Sequence, residues 1–228
     1  NLVTSQTIKE ELGSEGIERL SVIPRGVDVD NRHPKFKDAA MRDRLTNGEP
    51  ANKLLVFIGR LAVEKEIHKL IPMLEKRSDI SLAIIGDGPS RSDLEKVFEG
   101  TKTVFTGFLH GEELSRAYAS SDAFIFPSIS ETLGLVILEG MASGLPIIAA
   151  KSGPTMEQVS HEVNGMLYEN EDLDSLLDAV EVIDDEEKFN NIKEEARKEA
   201  LKFSWDNASK RLLDYYKDAR DHHSVGRS

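Results

Sequence analysis

From Lys53 onward, short and wholly apolar runs alternate with amphipathic stretches, and this alternation limits the possible folds more than any other feature of the chain. Residues 54–58 form a run that stops at Gly59, and residues 67–73 follow with helical spacing. Residues 81–85 form a second run, closed by the turn Gly86-Asp87-Gly88-Pro89. The unit then repeats: helix 91–98, strand 103–105, helix 112–119, and a strand at 123–126 stopped by Pro127. A helix at 134–143 ends at Gly144, a strand occupies 147–150, and 166–168 offers a sixth. Strands apolar throughout are buried on both faces, and a helix after each one implies parallel pairing. The pattern predicts an α/β, doubly wound parallel sheet of the Rossmann-like kind. From Asp172 the spacing is helical to the end, with an anchor cluster at Phe203 and Trp205 and a cap at Ser204 or Asp206.

Residues 1–24 stand outside this scheme. A strand at 2–4, a helix at 8–12 and a strand at 20–23 read as the remnant of a preceding domain. Residues 25–50 read as hinge and linker with one short helix at 39–45, residues 51–204 as the α/β domain, and residues 205–228 as a last helix and tail.

Composition excludes several functions. The 228 residues carry 41 acidic against 29 basic side chains, a net charge of −12. No basic stripe is available for nucleic acid, and strong binding to anionic lipid is disfavoured. With no cysteine, disulfides, thiolate zinc sites and thiol nucleophiles are ruled out. The longest apolar stretch, 133–150, is broken by Glu139 and four glycine or proline residues, too interrupted for a membrane span.

Three motifs lie where strands end, the edge at which open α/β sheets bind ligands. In residues 131–139, a polar loop leads from a strand into a helix near Gly134. The first amides of such a helix lack internal partners and suit a phosphate. Glu139 sits among apolar neighbours, so its carboxylate needs a ligand, a cationic partner or a route to solvent. In residues 59–65, Arg60 offers a planar fork and Lys65 a point charge to a diphosphate. The competing reading is a solvated loop with Lys65 paired to Glu64 or Glu66. Residues 86–89 form a sharp turn, for chain reversal or for close approach to a ligand. Asp28-Val29-Asp30 has the D-x-D form of a metal site but lies in the linker with no strand before it. The six histidines show no ligand spacing.

The ordered motifs IPRGVD, GRLAVEKE, IGDGP, VFTGFLHGEELSRAYASSDAFIFPS, SETLGLVILEGMASGLPIIAA and NGMLY make the chain similar to glycosyltransferase family 4, of the GT-B fold. The resemblance covers about residues 1–216 and places the chain as the C-terminal, donor-binding half. FTGFLHGEELSRAYAS and SETLGLVILEGMASGLP look most like the plant and algal branch that makes sulfoquinovosyl diacylglycerol in plastids, and bacterial diacylglycerol glycosyltransferases look similar too. The resemblance implies a retaining hexosyltransferase that needs no metal and no cofactor. Its donor would be a UDP-sugar, UDP-sulfoquinovose in that branch, and its acceptor diacylglycerol or another lipid. Membrane contact would come through the N-terminal domain, with a plastid location or the cytoplasmic face of another membrane.

The same resemblance implies roles for residues. Arg60 and Lys65 would stabilise the departing diphosphate, and Glu131 would hold donor-sugar hydroxyls. Gly59, Asp87, Thr132, Leu133, Gly134 and Leu135 would line the donor site, with Gly107 and Phe108 beside the base and Glu139 on the ribose hydroxyls. Three positions depart from the family's usual pattern. Glu66 replaces a glycine, Gly153-Pro154 replaces a double glycine, and Arg25 stands where asparagine is common. Only the last strand–helix–strand of an N-terminal domain is expected here, with an apolar surface exposed where the rest would pack.

Overall fold

The computed structural model describes residues 1–130 and 133–225. The chain opens with β1 (Leu2–Val3), α1 (Gln6–Ser14) and β2 (Ser21–Val22), the two strands pairing in parallel as a small sheet of their own. A loop and α2 (Ala39–Leu45) lead to the main domain. There the chain alternates as β3 (Lys53–Ile58), α3 (Ile71–Lys76), β4 (Ile80–Ile85), α4 (Arg91–Val97), β5 (Thr103–Gly107), α5 (Gly111–Ser120) and β6 (Ala123–Phe126). It continues through α6 (Leu135–Ala142), β7 (Ile147–Ala150), α7 (Gly153–Met156) and β8 (Gly165–Tyr168). The helices α8 (Leu173–Val180), α9 (Glu186–Leu201) and α10 (Trp205–Val225) complete it.

Among the described residues, β3 to β8 form one parallel sheet in the order β5-β4-β3-β6-β7-β8. The chain winds outward from β3 to one edge, then α5 carries it back to start again at β6. This is the expected doubly wound topology, and its switch point falls between β3 and β6. The inner strands are buried along nearly their whole length, which is why they read as unbroken apolar runs. Tyr118, Phe124 and Phe126 form a stacked column at the centre, with successive ring centroids 6.1 Å apart.

Two local findings refine the expected elements. The helix anticipated at 67–73 divides into a 3-10 turn at Ile67–Leu70 and α3, whose first turn holds Pro72. Proline lacks an N–H and is tolerated only in such a first turn. A register shift between Ile84 and Ile85 pairs Ile85 with Gly107, so β5 carries one extra residue and its end is re-aimed.

The segment before β3 is bound closely to the domain. Met41 and Leu45 of α2 enter the main core. Arg42 meets Asp122 with two parallel hydrogen bonds of 3.1 and 2.8 Å and also donates to the carbonyls of Pro50, Ser120 and Asn52. Arg197 of α9 likewise gathers the carbonyls of Val29, Arg32 and Ala142. Ser204 caps α10 by accepting from the Asn207 amide at 3.3 Å. A cleft of about 640 Å³ between α10 and the β1–β2 unit is lined by Leu2, Leu20, Leu212, Tyr215 and the exposed Tyr216 among others.

Candidate functional site

The loops after β3 and β4 touch backbone to backbone. A Cβ on Gly86 would lie 1.9 Å from the Gly59 carbonyl oxygen, and one on Gly88 would lie 2.3 Å from that of Leu61. The Leu61 amide donates to the Asp87 carbonyl at 2.9 Å, and the Ser90 amide to the Leu61 carbonyl at 3.0 Å. The two glycines therefore serve a close approach, and the partner is the neighbouring loop. Gly86 also needs its φ of 139°, which L side chains rarely adopt.

This contact fixes one wall of an open cleft of about 530 Å³ lined by Arg60, Asp87, Gly88 and Phe108. Arg60, Asp87 and Phe108, from the ends of β3, β4 and β5, thus meet at one place. Asp87 accepts from the Gly88 amide at 2.7 Å and from Arg91 at 3.0 Å. That amide first, and Arg91 second, hold its carboxyl below the usual range, so it is an anion in the cleft wall. Phe108 leaves β5 just past Gly107, whose φ is 73°, and is 64% exposed, its ring stacked on His110. Exposed aromatic and guanidinium planes offer flat faces to a heterocyclic base.

The β6 loop approaches from the other side of the switch point. Ser128 and Ser130 both donate to the Glu64 carbonyl, at 3.1 and 3.0 Å, and tie the two loops together. Arg60 pairs with Glu64, while the Lys65 ammonium lies 6.0 Å from the centre of the Phe126 ring. Glu66 takes the left-handed conformation, φ 53°, a backbone that suits the glycine expected at this point from the family resemblance. Its carboxylate turns to Lys69 at 2.7 Å, and Lys69 also reaches Asn170 and Glu171 of the β8–α8 loop.

At the start of α6, Gly134 is the cap residue in the left-handed region and brings no side-chain acceptor to the first amides. Leu133 and Leu135 flank it at the carboxyl edge of β6. Glu139 of α6 meets Tyr118 of α5. Tyr118 donates to it at 2.9 Å, and Arg32 lies 3.5 Å from its other oxygen. Burial first, and the neighbouring carboxylate second, keep the Tyr118 phenol protonated far above ordinary pH. The pairing anticipated as one alternative for Glu139 is thus present, and the carboxylate remains partly exposed. Glu131 and Thr132 lie outside the described residues.

Asp28 of the D-x-D sequence is occupied locally, accepting from the Asp30 and Asn31 amides and the Asn31 side chain. No group of metal-ligating side chains occurs among the described residues. Sequence reasoning missed Arg32, Tyr118, Arg91 and Gln158. A polar residue between Met156 and Val159 was the one visible hint of the last, since Gln158 is only 7% exposed.

Comparison with known proteins fits this geometry. A family model described as glycosyl transferases group 1 matches residues 42–199. The chain belongs to this family. Among group 1 glycosyl transferase relatives, a sulfoquinovosyl transferase from Arabidopsis thaliana is 39% identical over 92% of this chain and 43% of its own length. A GDP-mannose-dependent alpha-mannosyltransferase from Corynebacterium glutamicum is 35% identical over 95% of this chain and 52% of its own length. The chain therefore spans about half the length of the curated relatives it matches. In fold it is similar to Anabaena HepE, solved with UDP and glucose, with a TM-score of 0.83 and 23% identity over 95% of this chain and 62% of that one. It is equally similar to a sucrose-phosphate synthase from Thermosynechococcus elongatus, with a TM-score of 0.83 and 22% identity over 97% of this chain and 58% of that one.

Proposed function

We propose that this chain is the donor-binding half of a retaining glycosyltransferase that moves a hexose from a nucleoside diphosphate to a lipid acceptor. The observation that carries this reading is the cleft at the ends of β3, β4 and β5, where Arg60, Asp87 and Phe108 converge. The base lies against Phe108 and Gly107, and the diphosphate lies toward Arg60, Lys65 and the amides of Leu133 to Leu135. Glu139 serves the ribose hydroxyls and Glu131 the sugar. As the bond from the anomeric carbon to the diphosphate oxygen breaks, negative charge grows on the leaving group. Two cations and a helix start stabilise that charge without a metal ion. The acceptor hydroxyl attacks the face the diphosphate vacates, which retains configuration.

UDP-sulfoquinovose as donor and diacylglycerol as acceptor, with a plastid membrane as the location, are favoured by the Arabidopsis relative and by the motifs shared with its branch. The mannosyltransferase relatives, named for GDP-mannose, favour GDP as the second reading. Calorimetric titration of the chain with UDP, GDP and ADP separates them. UDP is expected to bind tightest; Arg60→Ala should weaken it about tenfold or more, since a contact to a charged group is worth roughly 1.5–3 kcal/mol, and Phe108→Ala by about fivefold or more, since stacking of a base on an aromatic ring is worth roughly 1–3 kcal/mol. A folded chain that binds none of the three would remove the donor-site reading.

A further inference from the structure

We propose that Gln158 is a positioning residue for the donor phosphate, acting on the peptide that opens α6. The proposal rests on the donor-site reading above. Gln158 lies between α7 and β8, and its side chain is buried against the turn at Leu133 and Gly134. A Cβ on Gly134 would lie 2.1 Å from the Gln158 Nε2, so the turn has been cleared to admit this amide. Nε2 donates to the Leu133 carbonyl over a long 3.5 Å, while Oε1 is buried with no partner among the described residues. The residue is held firmly from behind. Its amide donates to the Thr155 carbonyl at 3.0 Å, and its carbonyl accepts from Asn164, itself buried, at 3.1 Å.

A half-satisfied buried amide is costly, and an apolar side chain of equal length would fill the same space without that cost. Its value lies in what it does to one peptide plane. In a trans peptide, the carbonyl of Leu133 and the N–H of Gly134 point in opposite directions. Drawing the carbonyl inward to Gln158 turns the N–H outward, toward the site at the start of α6. It also turns the negative end of the peptide dipole away from an arriving anion. Gly134, at φ 63°, has no side chain to resist a flip of that peptide, so the restraint must come from a neighbour. Such contacts are often long in a ligand-free site and shorten when the ligand arrives.

The test compares UDP with uridine, which lacks the phosphates, by NMR titration of the chain, a readout that reaches millimolar affinities. Gln158→Met keeps the length and removes the donor; Gln158→Glu removes the donor at neutral pH and adds charge. For Gln158→Met, UDP affinity is expected to fall about tenfold while uridine affinity stays unchanged and Tm is equal or higher. Gln158→Glu is expected to lose more UDP affinity, again sparing uridine. Equal losses for UDP and uridine, or no loss for either, would overturn the proposal and leave Gln158 as packing alone. If the unaltered chain binds no UDP, the donor-site reading falls and this inference falls with it.

Discussion

Glu66 and Gly86 are opposite answers to a demand for unusual backbone. A side chain in the left-handed region costs about 1–2 kcal/mol. Glu66 offsets some of this through its contact to Lys69 at 2.7 Å, a partly exposed pair worth at most about 1 kcal/mol. Glu66→Gly relieves the strain but gives up that pair and adds freedom to the unfolded chain, a further loss of about 0.4–1 kcal/mol. Its stability by urea titration is expected within about 1 kcal/mol of the parent, whereas the β-branched Glu66→Val should lose about 2 kcal/mol or more. Equal losses for the glycine and valine variants would mean that the carboxylate, which both remove, and not the backbone, governs this position. Gly86 has no such latitude. Its added Cβ would overlap the Gly59 carbonyl, so Gly86→Ala must push the β3 and β4 loops apart and is expected to cost about 3–5 kcal/mol in the same titration. The motif IGDGP was visible in the sequence, but the surface it meets was not.

Between elements, one carboxylate joins the N-terminal unit to the main domain. Glu157 accepts from the Thr7 hydroxyl at 2.6 Å, from the Thr7 amide at 2.8 Å and from the Gln6 amide at 3.0 Å, all at the first turn of α1. Arg25 lies 3.4 Å away. Burial by itself would raise the Glu157 pKa, but the Thr7 and Gln6 bonds and the Arg25 charge outweigh it and hold the value below the usual range. The sign follows: a depressed folded pKa means the contact stabilises above the unfolded value of about 4.3 and is lost as pH falls through the lower folded one. Amide-exchange protection in α1, taken relative to the intrinsic exchange rate at each pH, is therefore expected to fall as pH drops below the usual carboxylate range. Glu157→Gln should weaken the docking by roughly 2 kcal/mol at neutral pH and flatten this acid dependence. Exchange in α1 that ignores both changes would show that the unit is held by apolar contact alone. Arg25, an unusual residue for its motif, gains its reason here as the cation beside Glu157.

For the whole molecule, ligand binding should appear as stability. A ligand at a hundred times its Kd adds about 2.7 kcal/mol, or roughly 5–10 °C in Tm for a chain of this size. UDP at that ratio is expected to raise the melting temperature by this amount, and Arg60→Ala, binding about tenfold more weakly, to lose about half of the rise at the same UDP concentration. An unchanged Tm would contradict nucleotide binding in the cleft. The sequence by itself determined the order of strands and helices along the chain, the parallel doubly wound class and the placing of Arg60, Asp87 and Gly134 after strand ends. Those features follow from local apolar periodicity and from turn residues, which act over a few positions and leave their spacing in the chain. Tertiary structure alone decided that Gly86 and Gly88 meet Gly59 and Leu61, and that Arg42 locks onto Asp122. It likewise decided that Glu139 is shared between Tyr118 and Arg32 and that Gln158 lies under the start of α6. Each of these joins residues far apart in the chain, with Tyr118 and Glu139 separated by 21 positions and Arg42 and Asp122 by 80. Such pairs depend on how the sheet twists and where the crossover α5 returns, and no periodicity in the sequence records which distant side chain will fill a given gap.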